Sequence, residues 1–158
     1  MHNIDFSLKA LSQLGPAELI CARAAALQCA EYSFIYASYH PDSNFRRNFT
    51  SCQDYLGHVQ VELLAAPQVG KCTVLRQELA GGGIAAEHTE QNRVKVLHSM
   101  EVTLPDGSDA SYYEVAELSK VKGGWRYLRG YKLPVTELCA IGDEHLSCEM
   151  IINRGVCF

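Results

Sequence analysis

Residues 16–41, PAELICARAAALQCAEYSFIYASYHP, form the longest unbroken helical pattern in the chain, and the rest is read outward from them. Pro16 suits a first helical turn, where a missing N–H costs nothing. From Ala17 to Cys29 nearly every residue is a good helix former. Leu19, Ile20, Arg23, Leu27, Ala30 and Phe34 fall along one stripe, which should face a sheet. The pattern continues through Tyr32, Ile35, Tyr36 and Tyr39 and stops at His40-Pro41, because the residue before a proline is pushed out of the helical region. A bend near Ala30-Glu31 would divide it into two helices. Arg23 lies inside the apolar stripe, and a guanidinium is seldom buried without a partner, so a carboxylate is expected to meet it.

On the amino side, Asp5 to Leu14 can form a turn or two of helix before Gly15-Pro16 breaks the chain. On the other side, DSNFRRNF (42–49) reads as a polar connection. Residues 51–65 carry both a strand alternation and a helical spacing. A Thr50/Ser51 cap and the stop at Pro67 favour helix. From Cys72 onward the pattern is sheet. Strands are expected at Cys72 to Leu79, Arg93 to Leu104, Ala110 to Val121 and Trp125 to Lys132, the last three joined by turns at Pro105-Asp106-Gly107 and Lys122-Gly123-Gly124. Helices first and a meander afterwards indicate an α+β fold with helices covering one face of a curved antiparallel sheet.

The 158 residues, 47% hydrophobic and 20% charged, fit a single domain spanning 1–158, with a core at 16–132 and a C-terminal extension at 133–158. The extension holds one more expected strand, near Glu149 to Ile152. A net charge of −4 and a pI near 5.8 give no footprint for neutralising phosphates, so nucleic acid is not an expected partner. No apolar run approaches the ~20 residues that span a bilayer, and the amino end lacks the order of a secretory signal. A cytoplasmic protein with no membrane partner is expected. The seven cysteines are odd in number and sit mostly among apolar residues, which suits reduced thiols.

Two separated stretches carry a family resemblance. Glu18-Leu19, Arg23 and Ala26 through Tyr39-His40-Pro41 resemble, without gaps, the helix segment of the YchJ family, with Tyr39 where that family has tryptophan. Glu114, Ala116 and Leu118 through Gly123, Trp125, Tyr127 and Gly130 resemble its strand pair, Ala116 replacing a serine and Leu118 a phenylalanine. The cysteine-rich SEC-C zinc motif that commonly flanks that domain has no counterpart before residue 16. The resemblance implies a nuclear transport factor 2-like (cystatin-like) fold, a cone of curved antiparallel sheet around the N-terminal helices. It also allows for a homodimer through the sheet.

Within such a cone, Glu114 shares a strand face with Ala110, Tyr112, Ala116 and Leu118, so its carboxyl points inward. A hairpin turning about Asp106-Gly107 brings His98 opposite or diagonal to it. The pair could act as general acid and base, or Glu114 could simply tie Arg23 of the helix to the sheet. Arg23, Tyr39, His40, Tyr112, Trp125 and Tyr127 are the ligand-binding candidates. His40 could equally cap the helix end, and Trp125, Tyr127 and Tyr131, recurring at strand spacing, could equally be wall or core. Arg46 and Arg47 read as a solvated loop or as a hold for an acidic ligand. Cys139, His145, Cys148 and Cys157 lack the tight spacing of a structural zinc site, so no metal is assigned. No phosphate loop or hydrolase motif occurs, and no cofactor is expected. The expected function is a module binding a small molecule or another protein; the alternative is a cofactor-independent hydrolase, dehydratase or isomerase working with Glu114 and His98.

Overall fold

The computed structural model describes residues 4–62, 67–79, 92–138 and 146–158. A short helix α1 (Leu8–Gln13) starts where the Ser7 hydroxyl accepts the Ala10 N–H. α2 (Pro16–Gln28) begins with Pro16 in its first turn, and the Glu18 carboxylate accepts the Gly15 N–H at 3.1 Å. The expected bend is present. The Glu31 N–H reaches the Ala26 carbonyl and the Ala30 N–H the Leu27 carbonyl, a Schellman ending with Ala30 at φ 58°. α3 (Tyr32–Ser38) follows.

The connection read as polar holds one short helix, α4 (Asn44–Asn48), capped by Ser43. α5 (Cys52–Glu62) resolves the ambiguous stretch as helix, with Ser51 accepting the Asp54 N–H.

Among the described residues five strands follow in the order β1 (Gln68–Leu79), β2 (Arg93–Thr103), β3 (Asp109–Val121), β4 (Gly124–Pro134) and β5 (Val156–Cys157), each antiparallel to the next. The fold is therefore α+β, a curved antiparallel sheet packed against helices. The β2–β3 turn is tight: Gly107 takes φ 85°, and Asp106 accepts both the Ser108 N–H and hydroxyl. Its position fixes the register and puts His98 directly opposite Glu114.

β4 contains a bulge that alternation does not predict. Glu117 pairs with Arg129 but Leu118 with Tyr127, leaving Leu128 as the extra residue. Before the bulge, Trp125 and Tyr127 face the N-terminal helices; after it, Tyr131 and Leu133 pack on the other face. The expected common face for Trp125, Tyr127 and Tyr131 is thus split.

The sheet is covered on both sides. Leu11, Leu19, Ile20, Phe34 and Ile35 of the helices bury one face, with Val94, Val96, Ala116 and Leu118 from the strands. On the other, a 3₁₀ turn (Val135–Leu138) and a last helix, α6 (Cys148–Arg154), cover Leu97, Tyr113, Val115 and Leu133. α6 replaces the strand expected near Glu149 to Ile152. Ser147 accepts the Met150 N–H as its cap, and Cys148 and Ile151, three apart, supply its buried side. The β4 edge is also closed. Gly130 exchanges both backbone hydrogen bonds with Phe158, and the His40 N–H donates to the Tyr127 carbonyl at 2.7 Å. No helix among the described residues is long and apolar enough to cross a membrane.

Candidate functional site

A hollow of about 310 Å³ lies between α2 and the helix-side face of the sheet. Glu114 sits at its centre because β3 is the middle strand of the five: in register, His98 of β2 lies on one flank and Lys132 of β4 on the other. The leftover residue at Leu128 is what turns Lys132 to this side. α2 brings Ile20, Arg23 and Leu27; Tyr39 and Phe158 complete the rim.

Glu114 is 7% exposed and accepts a hydrogen bond from the Tyr127 hydroxyl at 2.8 Å. Tyr127 can reach it only because residue 130 is glycine: a Cβ there would overlap the Tyr127 hydroxyl and lie 2.8 Å from the Phe158 ring. Burial first, and Glu114 second, hold the Tyr127 phenol well above its ordinary pKa, so it stays a donor.

His98 is 1% exposed, with Nε2 at 3.8 Å from Glu114 Oε2. Burial pushes its pKa below 6.5, Glu114 and the Val96 backbone oppose, and Arg23 and Lys132 reinforce the drop. At neutral pH the imidazole is uncharged, and the Glu114 contact is not an ion pair.

Among the described residues Arg23 does not meet the carboxylate expected for it. Its guanidinium lies between two rings, 4.3 Å from the centre of Tyr39 and 4.2 Å from that of Tyr127, and donates to the Ser38 hydroxyl. Ser38, fully buried, donates its hydroxyl in turn to the Ile35 carbonyl. Tyr127 therefore stands between Arg23 and Glu114, touching one with its ring face and the other with its hydroxyl. Lys132 is held the same way, its ammonium 5.4 Å over Tyr112 and 4.7 Å over Phe158.

Of the residues singled out from sequence, Glu114, His98, Arg23, Tyr39, Tyr112 and Tyr127 line this one hollow. His40 and Trp125 do not. His40 anchors the β4 edge and accepts the Asp42 N–H on Nδ1; burial lowers its pKa, Asp42 opposing and Arg93 and Arg126 assisting. Trp125 packs on the helix-side core, with Lys120 over its ring. Arg46 stacks on Tyr36 and Arg47 reaches Asn44. Cys139 and His145 lie outside the described residues. Cys148 is core, its thiol pushed up to about 11 by burial and by Glu78, and Cys157 is exposed in β5.

Lys132, Phe158 and Met100 also line the hollow and are not among the candidates the sequence offers. Lys132 depends on the bulge, and Phe158 arrives from a distant part of the chain with no local signal. A larger groove of about 610 Å³ runs between α2, α5 and β1, but its His58 and Glu62 are exposed.

The fold resembles the solution structure of a SEC-C motif containing protein from Rhodopseudomonas palustris, with a TM-score of 0.53 and 18% identity over 76% of this chain and 78% of that one. At that identity the likeness is one of fold. No protein-family model matches the chain. No curated protein matches it either.

Proposed function

We propose that this chain is a small-molecule-binding domain of the nuclear transport factor 2-like type, related to the YchJ family, with its ligand in the hollow beside Glu114. The curved meander behind N-terminal helices and the likeness to a SEC-C motif containing protein support that lineage. The observation that carries the binding reading is the lining of the hollow: a buried carboxyl (Glu114), a buried imidazole (His98) and two cations resting on ring faces (Arg23, Lys132) converge on about 310 Å³ of otherwise largely apolar wall, in a sheet whose neighbouring core positions are filled by apolar side chains. The protein can be titrated with a library of small organic molecules while the His98 ring and Met100 methyl resonances are followed. Binders should shift both; a library that moves neither at millimolar concentration rejects the reading.

The second reading is acid–base catalysis, without a cofactor, as a hydrolase, dehydratase or isomerase. What favours it is a neutral imidazole held beside a carboxyl in a shielded hollow, the arrangement that suits proton transfer near pH 7. Glu114→Gln keeps the size of the side chain and an acceptor for the Tyr127 hydroxyl. It should preserve ligand binding and abolish turnover; turnover that survives at the wild-type rate excludes Glu114 as acid or base.

A further inference from the structure

Resting on the small-molecule reading above, we infer that the hollow selects a small organic monoanion, one carboxylate on an apolar or aromatic body, with the carboxylate held by Arg23 and Lys132. Two cations and one carboxyl line the hollow, and neither cation is paired with an acid among the described residues. Each instead rests on aromatic faces: Arg23 on Tyr39 and Tyr127, Lys132 on Tyr112 and Phe158. A ring face holds a cation in place but accepts none of its N–H bonds edge-on, and among the described residues the only side-chain acceptor for the five guanidinium donors of Arg23 is Ser38. Fixed, directed donors without an acid are what a planar carboxylate needs.

The same packing argues against other charge types. A ligand cation would need the aromatic faces that Arg23 and Lys132 already cover. A dianion would bring its second charge close to Glu114, with only one surplus positive charge to offset it. The rest of the lining, Ile20, Leu27, Met100 and Val102 among it, suits an apolar body, and about 310 Å³ is at the small end of ligand pockets.

Three probes of one shape separate the possibilities: phenylacetate, phenylacetamide and 2-phenylethylamine, each titrated while the His98 and Met100 resonances are followed. Phenylacetate should bind at least about tenfold more tightly than the amide, as expected when charge-assisted bonds replace neutral ones, and the amine should bind weakest. Lys132→Gln should lower phenylacetate affinity about tenfold and leave the amide unchanged. Arg23→Gln should do the same, with the lysine variant deciding should the arginine variant fail to fold. Equal binding of the amide or the amine, or a Lys132→Gln protein that holds phenylacetate as well as the wild type, overturns the monoanion assignment and leaves a small-molecule site standing. Failure of all three probes to move either resonance overturns the monoanion assignment, while the small-molecule reading stands or falls separately on the library titration.

Discussion

Leu97 and His98 are adjacent in the chain, each 1% exposed, and they serve opposite faces of the same sheet. Leu97 lies under α6 with Tyr113, Val115, Leu133 and Ile151, a face where the polar tips are few. His98 lies under α2 with Glu114, Tyr127 and Arg23 around it. Strand alternation delivers both from one sequence, so equal burial says nothing about role. The dry face gains free energy from each buried side chain. The helix side gives some of that up, holding polar groups in a space that apolar ones would fill more stably.

The largest effect should come from the dry face. Ile151 is fully buried on α6, and Ile151→Ala should cost roughly 2–5 kcal/mol by lost burial and the cavity left behind. Urea unfolding measures it. Ligand binding in the hollow should be untouched once the variant is folded, because α6 and the hollow are on opposite sides of the sheet. A variant that folds normally but loses the His98 response to ligand would mean that the two faces are coupled.

On the helix side the sharpest break is at Gly130. Gly130→Ala drives a methyl into the Tyr127 hydroxyl and should cost about 1–3 kcal/mol through overpacking. Tyr127→Phe removes the hydroxyl, and with it part of the collision. The double variant should therefore be more stable than the sum of the two single losses, as residues in contact do not add. Strict additivity in the unfolding free energies would show that the hydroxyl does not define the space at residue 130.

The third difference is in pH. His98 takes up its proton at a lower pH in the folded protein than near 6.5 when unfolded, so between those values the unfolded state binds more protons. Stability on this account is complete above 6.5 and is lost as the pH falls toward the folded value. His40, also lowered by burial, acts in the same direction. Chemical unfolding from about pH 7.5 to about pH 5.5 should show the loss, and His98→Gln should reduce its slope more than His40→Gln. An unchanged slope in His98→Gln would place the imidazole in contact with water.

Much of this helix-side arrangement was legible. The Pro105-Asp106-Gly107 turn fixes the sum of paired residue numbers, which is enough to set His98 against Glu114. Arg23 within an apolar stripe signalled a buried cation, although its partners are rings and a hydroxyl, and spacing does not distinguish a π face from a carboxylate. The bulge at Leu128 was not legible, because an extra residue leaves the apolar content of a strand unchanged while moving every later side chain to the other face. That one displacement hid Lys132 from the site and Tyr131 from the opposite core. The expected strand at Glu149 to Ile152 is a helix because a run of three apolar residues after an acidic one fits either element, and only the Ser147 cap separates them.

The smallest expected effect tests how the hollow side is built. Ala30 carries φ 58° between α2 and α3, a left-handed position where the Schellman hydrogen bonds are made but a Cβ is unwelcome. Ala30→Gly relieves that contact and loosens the unfolded chain, and the first term wins where φ is positive, for a gain of about 0.5–1 kcal/mol. Since the turn sets the angle at which α2 and α3 meet, the gain should appear with an unchanged ligand affinity if the angle is already held by Phe34, Ile35 and Leu19 in the core. If the variant is more stable but binds phenylacetate differently, the turn itself positions Arg23 against Tyr39, and the two helices are a hinge for the site and not a fixed wall.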